Sequence, residues 1–281
     1  MGSSDACKVD KLWEKSGTLL LALIVIASDH RWGELSMGRS AYLLVAMICY
    51  AAFLAAFLYL IGFVAGLPGL PRHVDKGLVA APLLSALVDL GLISSFGIQH
   101  SVMARPAFKA WWTKVVPPPV ERSVYCLAAA AVLGVLFLFW HPIEGTVWEV
   151  TNPILRLLLW GLFFVGWGIV FISTWLINHF ELFGLAQVWR NWRGTVAAPP
   201  KLSQPLFYRL VRHPLYSGFI LAFWATPFMS IGHLLLAAGM TTYVIIAIRY
   251  EERDLVAHFG HDYEEYRQRV GMLLPGVGRQ R

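Results

Sequence analysis

Charge is what this chain most lacks. Only 14% of its 281 residues are Asp, Glu, Lys or Arg, against 57% hydrophobic residues, whereas a soluble domain carries roughly 25% charged residues. The deficit argues against a water-soluble domain and fits lipid as solvent. Cysteine is nearly as sparse. Cys7, Cys49 and Cys126 are the only three, and no pair has metal-ligand or redox spacing, which points away from structural zinc and from disulfides. There is no internal repeat, no low-complexity tract and no haem-attachment motif. A basic stripe interleaved with aromatic residues is missing too, so the net charge of +6 is not the footprint of a nucleic-acid reader. No secretory signal is evident. The apolar run Thr18 to Ala27 has the length of one, but Asp10 and Glu14 flank it and no small-residue cleavage site is clear. That run falls short of the roughly 20 residues needed to span a bilayer. Residues 1–40 are therefore expected to form an N-terminal segment, read as an interfacial or packed helix, ahead of one membrane domain over residues 41–281.

What is present is a series of long apolar runs. Six stand out: 41–66, 78–103, 123–140, 154–178, 215–230 and 233–249. The last two are parted only by Ile231 and Gly232, which predicts a tight helical hairpin whose arms are short for full spans. The fold class expected is all-α, a polytopic integral-membrane helical bundle of five to six transmembrane segments with a C-terminal helical hairpin and a C-terminal helix. Strict alternation of six segments puts 20 Lys and Arg on one side and only Arg72, Lys76 and Arg156 on the other. The positive-inside rule assigns the rich side to the cytoplasm. Both termini then face the cytoplasm, in what is expected to be a bacterial inner membrane.

Polar residues gather at the helix ends on that same side. The second segment ends in Gln99, His100 and Ser101, with Arg105 beyond. The third follows Glu121 and Arg122, and the fourth ends in Asn178, His179, Phe180 and Glu181. The fifth begins at Arg212-His213-Pro214, and the sixth runs into Tyr250, Glu251, Glu252, Arg253 and Asp254. Ionisable groups at membrane depth cost several kcal/mol unless paired or wet, which makes them functional candidates by default. The expected product is a cytoplasm-facing pocket for a charged ligand.

The stretch LVRHPLYSG, residues 210–218, concentrates the question. Pro214 suits a first helical turn, His213 stands at a helix N-terminus that favours an anion, and Gly218 permits close approach of a backbone or a ligand. A cofactor site and a basic interface anchor both satisfy these residues. Glu251 and Glu252 directly follow an apolar segment. They suit ribose hydroxyls, an amino group, or ion pairs with Arg212 or Arg249. Asp89 and His100 lie eleven residues apart and share one helix face. Asp89 reads best as an interhelical hydrogen-bond partner, and His100, among polar neighbours at the mouth, as a functional group. Thr174, Asn178 and Glu181 share a face at i, i+4 and i+7, and a regular helix points His179 elsewhere. Trp111, Trp112, Trp189 and Trp192 suit an aromatic belt.

Several of these motifs together resemble a known superfamily. RHPLYSG, two apolar arms, EERDL and FGHDYEEYRQRV resemble the C-terminal half of the isoprenylcysteine carboxyl methyltransferases and phospholipid methyltransferases, integral-membrane enzymes that use S-adenosylmethionine. Upstream, FGIQHSVMARPAFKAWW, PPPVERSVYCL and STWLINHFELFGLAQVW, and later AFWATPFMS, are similar to the NnrU-related branch. Within it the likeness is greatest to the methanethiol S-methyltransferases, which form dimethyl sulfide, and it runs over about residues 40–275. One departure is Gly271, where the superfamily pattern has a proline after Val270.

The resemblance implies S-adenosylmethionine as cofactor, with His213, Pro214, Tyr216, Gly218, Glu251 and Glu252 building its site, and Arg212 and Tyr250, adjacent in sequence, are taken as further cofactor-binding candidates. It implies a small thiol as substrate and the bilayer as surroundings, with no resident metal. The oligomeric state stays open. The residue that activates the thiol is argued from chemistry. The nucleophile is a thiolate, and an alkyl thiol has a pKa of about 8.5 or more, so a base or a cation is required. His100 is the first choice of base, with Arg105 or Arg122 holding the thiolate, and His179 with Glu181 is the second choice. Three alternatives stand beside this: a larger lipid-borne acceptor, a transporter or accessory membrane protein of the NnrU kind, and a purely structural membrane protein.

Overall fold

The computed structural model describes residues 38–197, 199 and 201–279. The expectation for residues 1–40 lies outside these, apart from its last three residues. The architecture is a helical membrane bundle. In chain order it comprises α1 (Arg39–Val64), α2 (Pro82–Ala104), the short α3 (Pro106–Trp112), α4 (Glu121–Phe139), β1 (Thr146–Glu149), α5 (Pro153–Ile177), the one-turn α6 (His179–Leu182), α7 (Leu185–Arg193), α8 (Pro214–Trp224), β2 (Phe228–Ser230), α9 (Ile231–Phe259) and α10 (His261–Arg269). Among the described residues, five helices are long and apolar enough to cross a membrane: α1, α2, α4, α5 and α9. Their outward faces carry exposed Leu44, Met47, Leu83, Leu87, Leu157 and Phe164, as a lipid-facing surface requires.

Local chemistry sets the starts and stops. Proline opens α2, α3, α5 and α8, where its missing N–H costs nothing. Asn152 caps α5 by accepting the N–H groups of Ile154 at 2.9 Å and Leu155 at 3.1 Å. Gly260, with φ 55°, ends α9 in a conformation that glycine adopts without penalty.

The fifth and sixth segments differ from the expected hairpin. The break falls at Ala225–Ser230 and not at Ile231–Gly232. Pro227 follows Thr226, and a residue before proline is pushed out of helix. The chain then extends as β2 and pairs antiparallel with β1, Glu149 opposite Phe228 and Thr146 opposite Ser230. So α8 covers only about 16 Å, and extended backbone completes the path to the far end of the bundle. The sixth segment does not end at Arg249. It continues as one helix through Glu251 and Glu252 to Phe259. The fourth departs from regular helix at Asn178, so the expected Thr174–Asn178–Glu181 face does not form.

The central core joins Phe63, Leu136, Trp140, Phe163, Phe223 and Leu236 from five helices and the end of α4. At the far end, buried Trp140 donates from Nε1 to the Val74 carbonyl at 2.9 Å. Asp89 is fully buried there and accepts the His141 N–H at 3.0 Å, the structural bonding expected of it. α5 and α8 pack backbone to backbone at Gly166 and Gly218. A Cβ built on Gly218 would lie 2.7 Å from the Gly166 carbonyl oxygen. Small residues allow this closeness, which is how membrane helices gain contact without a hydrophobic driving force.

Candidate active site

The other end of the bundle, the mouth, brings together the end of α2 and the start of α4. It also holds the start of α8 and the stretch of α9 around residues 243–254. His100 sits among three aromatic rings: Phe96 stacks on it at 5.4 Å, Tyr125 lies at 5.1 Å and Tyr243 at 6.3 Å between ring centroids. Its Nδ1 is buried with no hydrogen-bond partner. A polar atom in that condition costs free energy unless a ligand or substrate meets it. Gly97 makes room for Tyr243, because a Cβ there would stand 2.8 Å from its ring. Arg122 lies over the Tyr125 ring at 5.0 Å and donates to the Leu182 carbonyl at 2.8 Å. Arg105 pairs with Asp254 at 2.9 Å and lies 5.6 Å from the centroid of the Tyr250 ring. The three α2 and α4 candidates thus share one neighbourhood, with Arg122 nearer His100 through Tyr125.

The LVRHPLYSG stretch meets the two glutamates of α9. Arg212 is only 3% exposed. Its Nε donates to Glu252 Oε1 at 2.7 Å, Nη1 to the carbonyls of Val270 at 2.6 Å and Arg267 at 3.1 Å, and Nη2 to that of Gly278 at 3.2 Å. This guanidinium forms a frame beneath the site, tying α8 to α9 and to the chain after α10. His213 Nε2 lies 3.1 Å from the same Glu252 oxygen, and its Nδ1 faces Glu251 Oε2 at 4.0 Å. Glu252 is buried and matched by Arg212 and His213, with Arg267 at 3.6 Å. Glu251 is 44% exposed at its side chain and borders Tyr216. Tyr216 rests 5.8 Å from the His213 ring. The Glu251 carboxylate is therefore the one of the two still open to a ligand. Arg249 takes no part in these ion pairs. Gly218 serves helix packing, and Gly271 fits a turn so tight that a Cβ would collide with the Leu274 carbonyl. That close turn also accepts the Arg212 N–H at 2.8 Å on the Gly271 carbonyl.

His179 occupies a different niche. Thr174 donates its hydroxyl proton to the Phe171 carbonyl at 2.7 Å, so His179 Nδ1, 2.8 Å from the same oxygen, must be the donor to it. Nε2 then accepts from the Tyr50 hydroxyl at 2.8 Å. Trp175 stacks on the ring at 4.5 Å. Burial holds the imidazole below its ordinary pKa. Both nitrogens are engaged, so the second-choice base has no lone pair to offer in this arrangement. The turn at Asn178 makes it possible: leaving the helix there swings His179 back onto Thr174, and the Asn178 side chain accepts the Glu181 N–H at 3.2 Å. Glu181 is held by Arg190 through two bonds of 2.6 and 2.8 Å and by Gln187 at 3.0 Å. The Arg190 hydrogen bond keeps its carboxyl below the usual carboxylate range. His179 and Glu181, paired in the sequence reading, serve separate networks.

Tyr125 and Tyr243 are the residues that sequence reasoning missed. Tyr243 neighbours Ser101, Arg105 and Glu251, and so links the His100 niche to the His213–Glu251 side. Nothing distinguishes these tyrosines within apolar runs. Only the fold brings them round His100.

Comparison with known proteins adds a second line. The chain is 48% identical over 248 residues to a methanethiol S-methyltransferase of a Pseudomonas species, covering 88% of this chain and 95% of that protein. It is 48% identical over 240 residues to the methanethiol S-methyltransferase of Mycobacterium tuberculosis, covering 85% and 98%. Nurim of Bos taurus is 31% identical over 182 residues, covering 62% and 69%. No protein-family model matches, and no solved structure matches.

Proposed function

The chain belongs to the family of the methanethiol S-methyltransferases, and we propose that it methylates methanethiol to dimethyl sulfide in the pocket at the bundle mouth, facing the cytoplasm, with S-adenosylmethionine as donor. The observation that carries the mechanism is the buried, unpartnered Nδ1 of His100 inside a cage of three aromatic rings.

The residues at the mouth fit such a donor. The first turn of α8 offers the N–H groups of Leu215 and Tyr216, which by position lack intrahelical acceptors, to a carboxylate. Glu251 is open to ribose hydroxyls or an ammonium group, and His213 is oriented by Glu252 behind it. Bound S-adenosylmethionine supplies an electrophilic methyl carbon on a positively charged sulfur. His100 accepts the thiol proton on its unpartnered nitrogen. The positive charge of Arg122, stacked on Tyr125, favours the thiolate. With the donor bound, the residues of the mouth would hold thiolate and methyl carbon in line, so that the sulfur–methyl bond would form as the methyl–sulfonium bond broke and two neutral thioethers would result. Alignment of the three atoms can supply several kcal/mol. Loss of charge along this path is favoured by the apolar walls of Phe96, Tyr125 and Tyr243.

The test uses membranes containing the protein, sealed with S-adenosylmethionine and methanethiol, with dimethyl sulfide assayed in the headspace. Product above a vector control that disappears with His213→Ala supports the reading. Donor binding without product sends the search to larger thiol or lipid acceptors. Absence of both sinks it.

A further inference from the structure

A second polar feature adjoins the frame that holds His213 and shares Glu252 with it. Arg249, Glu252, Arg253, Val256 and Arg267 line an open cavity of about 290 Å³. Glu252 is shared by Arg212, His213 and, at 3.6 Å, Arg267, so three guanidinium groups face the space with a single carboxylate that is already divided among its partners. Arg249 and Arg253 make no ion pair or hydrogen bond among the described residues, and Arg267 Nε is buried without a hydrogen-bond partner. Cations so arranged repel one another unless an anion joins them.

The position of the cavity selects the anion. Ile245, Ile246, Arg249 and Arg253 recur at three- and four-residue spacing and so lie on one face of α9. Ile245 and Ile246 are exposed on an apolar helix of spanning length, where lipid chains cover them. Arg249 follows one turn later. It stands 18 residues beyond Ile231, the first residue of α9, or roughly 27 Å along the axis at 1.5 Å per residue. The hydrocarbon layer is about 30 Å thick. The face therefore changes from isoleucine to arginine at the depth where acyl chains give way to phosphate. Guanidinium groups bind phosphate in paired hydrogen bonds.

We propose that the Arg249–Arg253–Arg267 cavity binds the phosphate of an anionic phospholipid, with the acyl chains against Ile245 and Ile246. The cavity shares Glu252 and Arg267 with the frame that orients His213, and the displacement arm of the test separates a lipid site from the donor site.

The experiment is lipid retention by the full-length protein in detergent micelles. Phosphatidylglycerol or phosphatidylcholine is added, and bound lipid is counted by native mass spectrometry. Wild type is expected to retain phosphatidylglycerol preferentially. The Arg249→Gln/Arg253→Gln variant is expected to lose affinity about tenfold or more, as the removal of two charge-assisted contacts implies. Arg253→Gln alone should lose less, and Arg253→Lys less still. These single variants serve if the double variant fails to fold. Equal retention by wild type and variants overturns the proposal. So does equal displacement of the lipid by millimolar inorganic phosphate, which would identify a free-anion site. Displacement by S-adenosylmethionine would assign the cavity to the cofactor and overturn it as well.

Discussion

Two histidines at the same end of the bundle have opposite surroundings. His179 gives one nitrogen to Thr174 and the other to Tyr50, with Trp175 stacked on its face. His100 has three aromatic neighbours and a buried nitrogen with no partner. Protein interiors rarely leave such an atom unmatched. The contrast is between an imidazole with both nitrogens engaged and one with a nitrogen left over, and it is a contrast of hydrogen bonding and not of burial.

The sharpest way to break the comparison is His100→Ala. Loss of a general base lowers rates by about 10²–10⁴-fold, with S-adenosylmethionine affinity unchanged. Steady-state turnover beside calorimetric binding measures both. Turnover equal to wild type at saturating thiol would remove His100 from the mechanism. Next in size is the frame beneath the site. Arg212→Ala leaves Glu252 and three carbonyls without their donor, and breaking a buried ion pair costs about 3–5 kcal/mol. A thermal unfolding midpoint unmoved by this change would contradict the clamp. Tyr50→Phe then probes the His179 niche. It strips Nε2 of its only donor, so stability should fall by about 1–3 kcal/mol while turnover per folded molecule changes little. A turnover loss matching that of His100→Ala would erase the distinction between the two histidines. The smallest effect belongs to Glu181→Gln. An ion pair this exposed is worth about 0–1 kcal/mol. Because Arg190 lowers the Glu181 pKa, that contribution is fully present above the ordinary carboxylate value of 4.5. It fades as pH falls through the lower folded value. Unfolding midpoints of wild type and variant should converge in that acid range and differ above it.

The sequence shows some of this arrangement and hides the rest for physical reasons. Long apolar runs are legible because a membrane span needs length and little else, and all five spanning helices coincide with expected segments. The fifth segment misleads for the same reason. Phe228 and Met229 are as apolar as helix residues, so hydropathy cannot separate β2 from helix, and the signal lay in Thr226-Pro227 alone. The LVRHPLYSG stretch does mark the start of α8 and does meet Glu252. Asn178 is harder, since nothing short of the Thr174–His179 bond reveals that the helix leaves its path there. Tyr125 and Tyr243 are invisible in one dimension, because their significance is their common distance from His100.

The clamp formed by Arg212 has a consequence for how the protein is made. Its partners Arg267, Val270 and Gly278 are added by the ribosome only after α1 to α9 have been made. Until those carbonyls arrive, the Arg212 guanidinium cannot be buried with its full set of acceptors. The frame beneath the mouth is therefore completed only after every spanning helix has been made, and a chain cut after Arg269 keeps those helices but loses the Val270 and Gly278 carbonyls that hold Arg212.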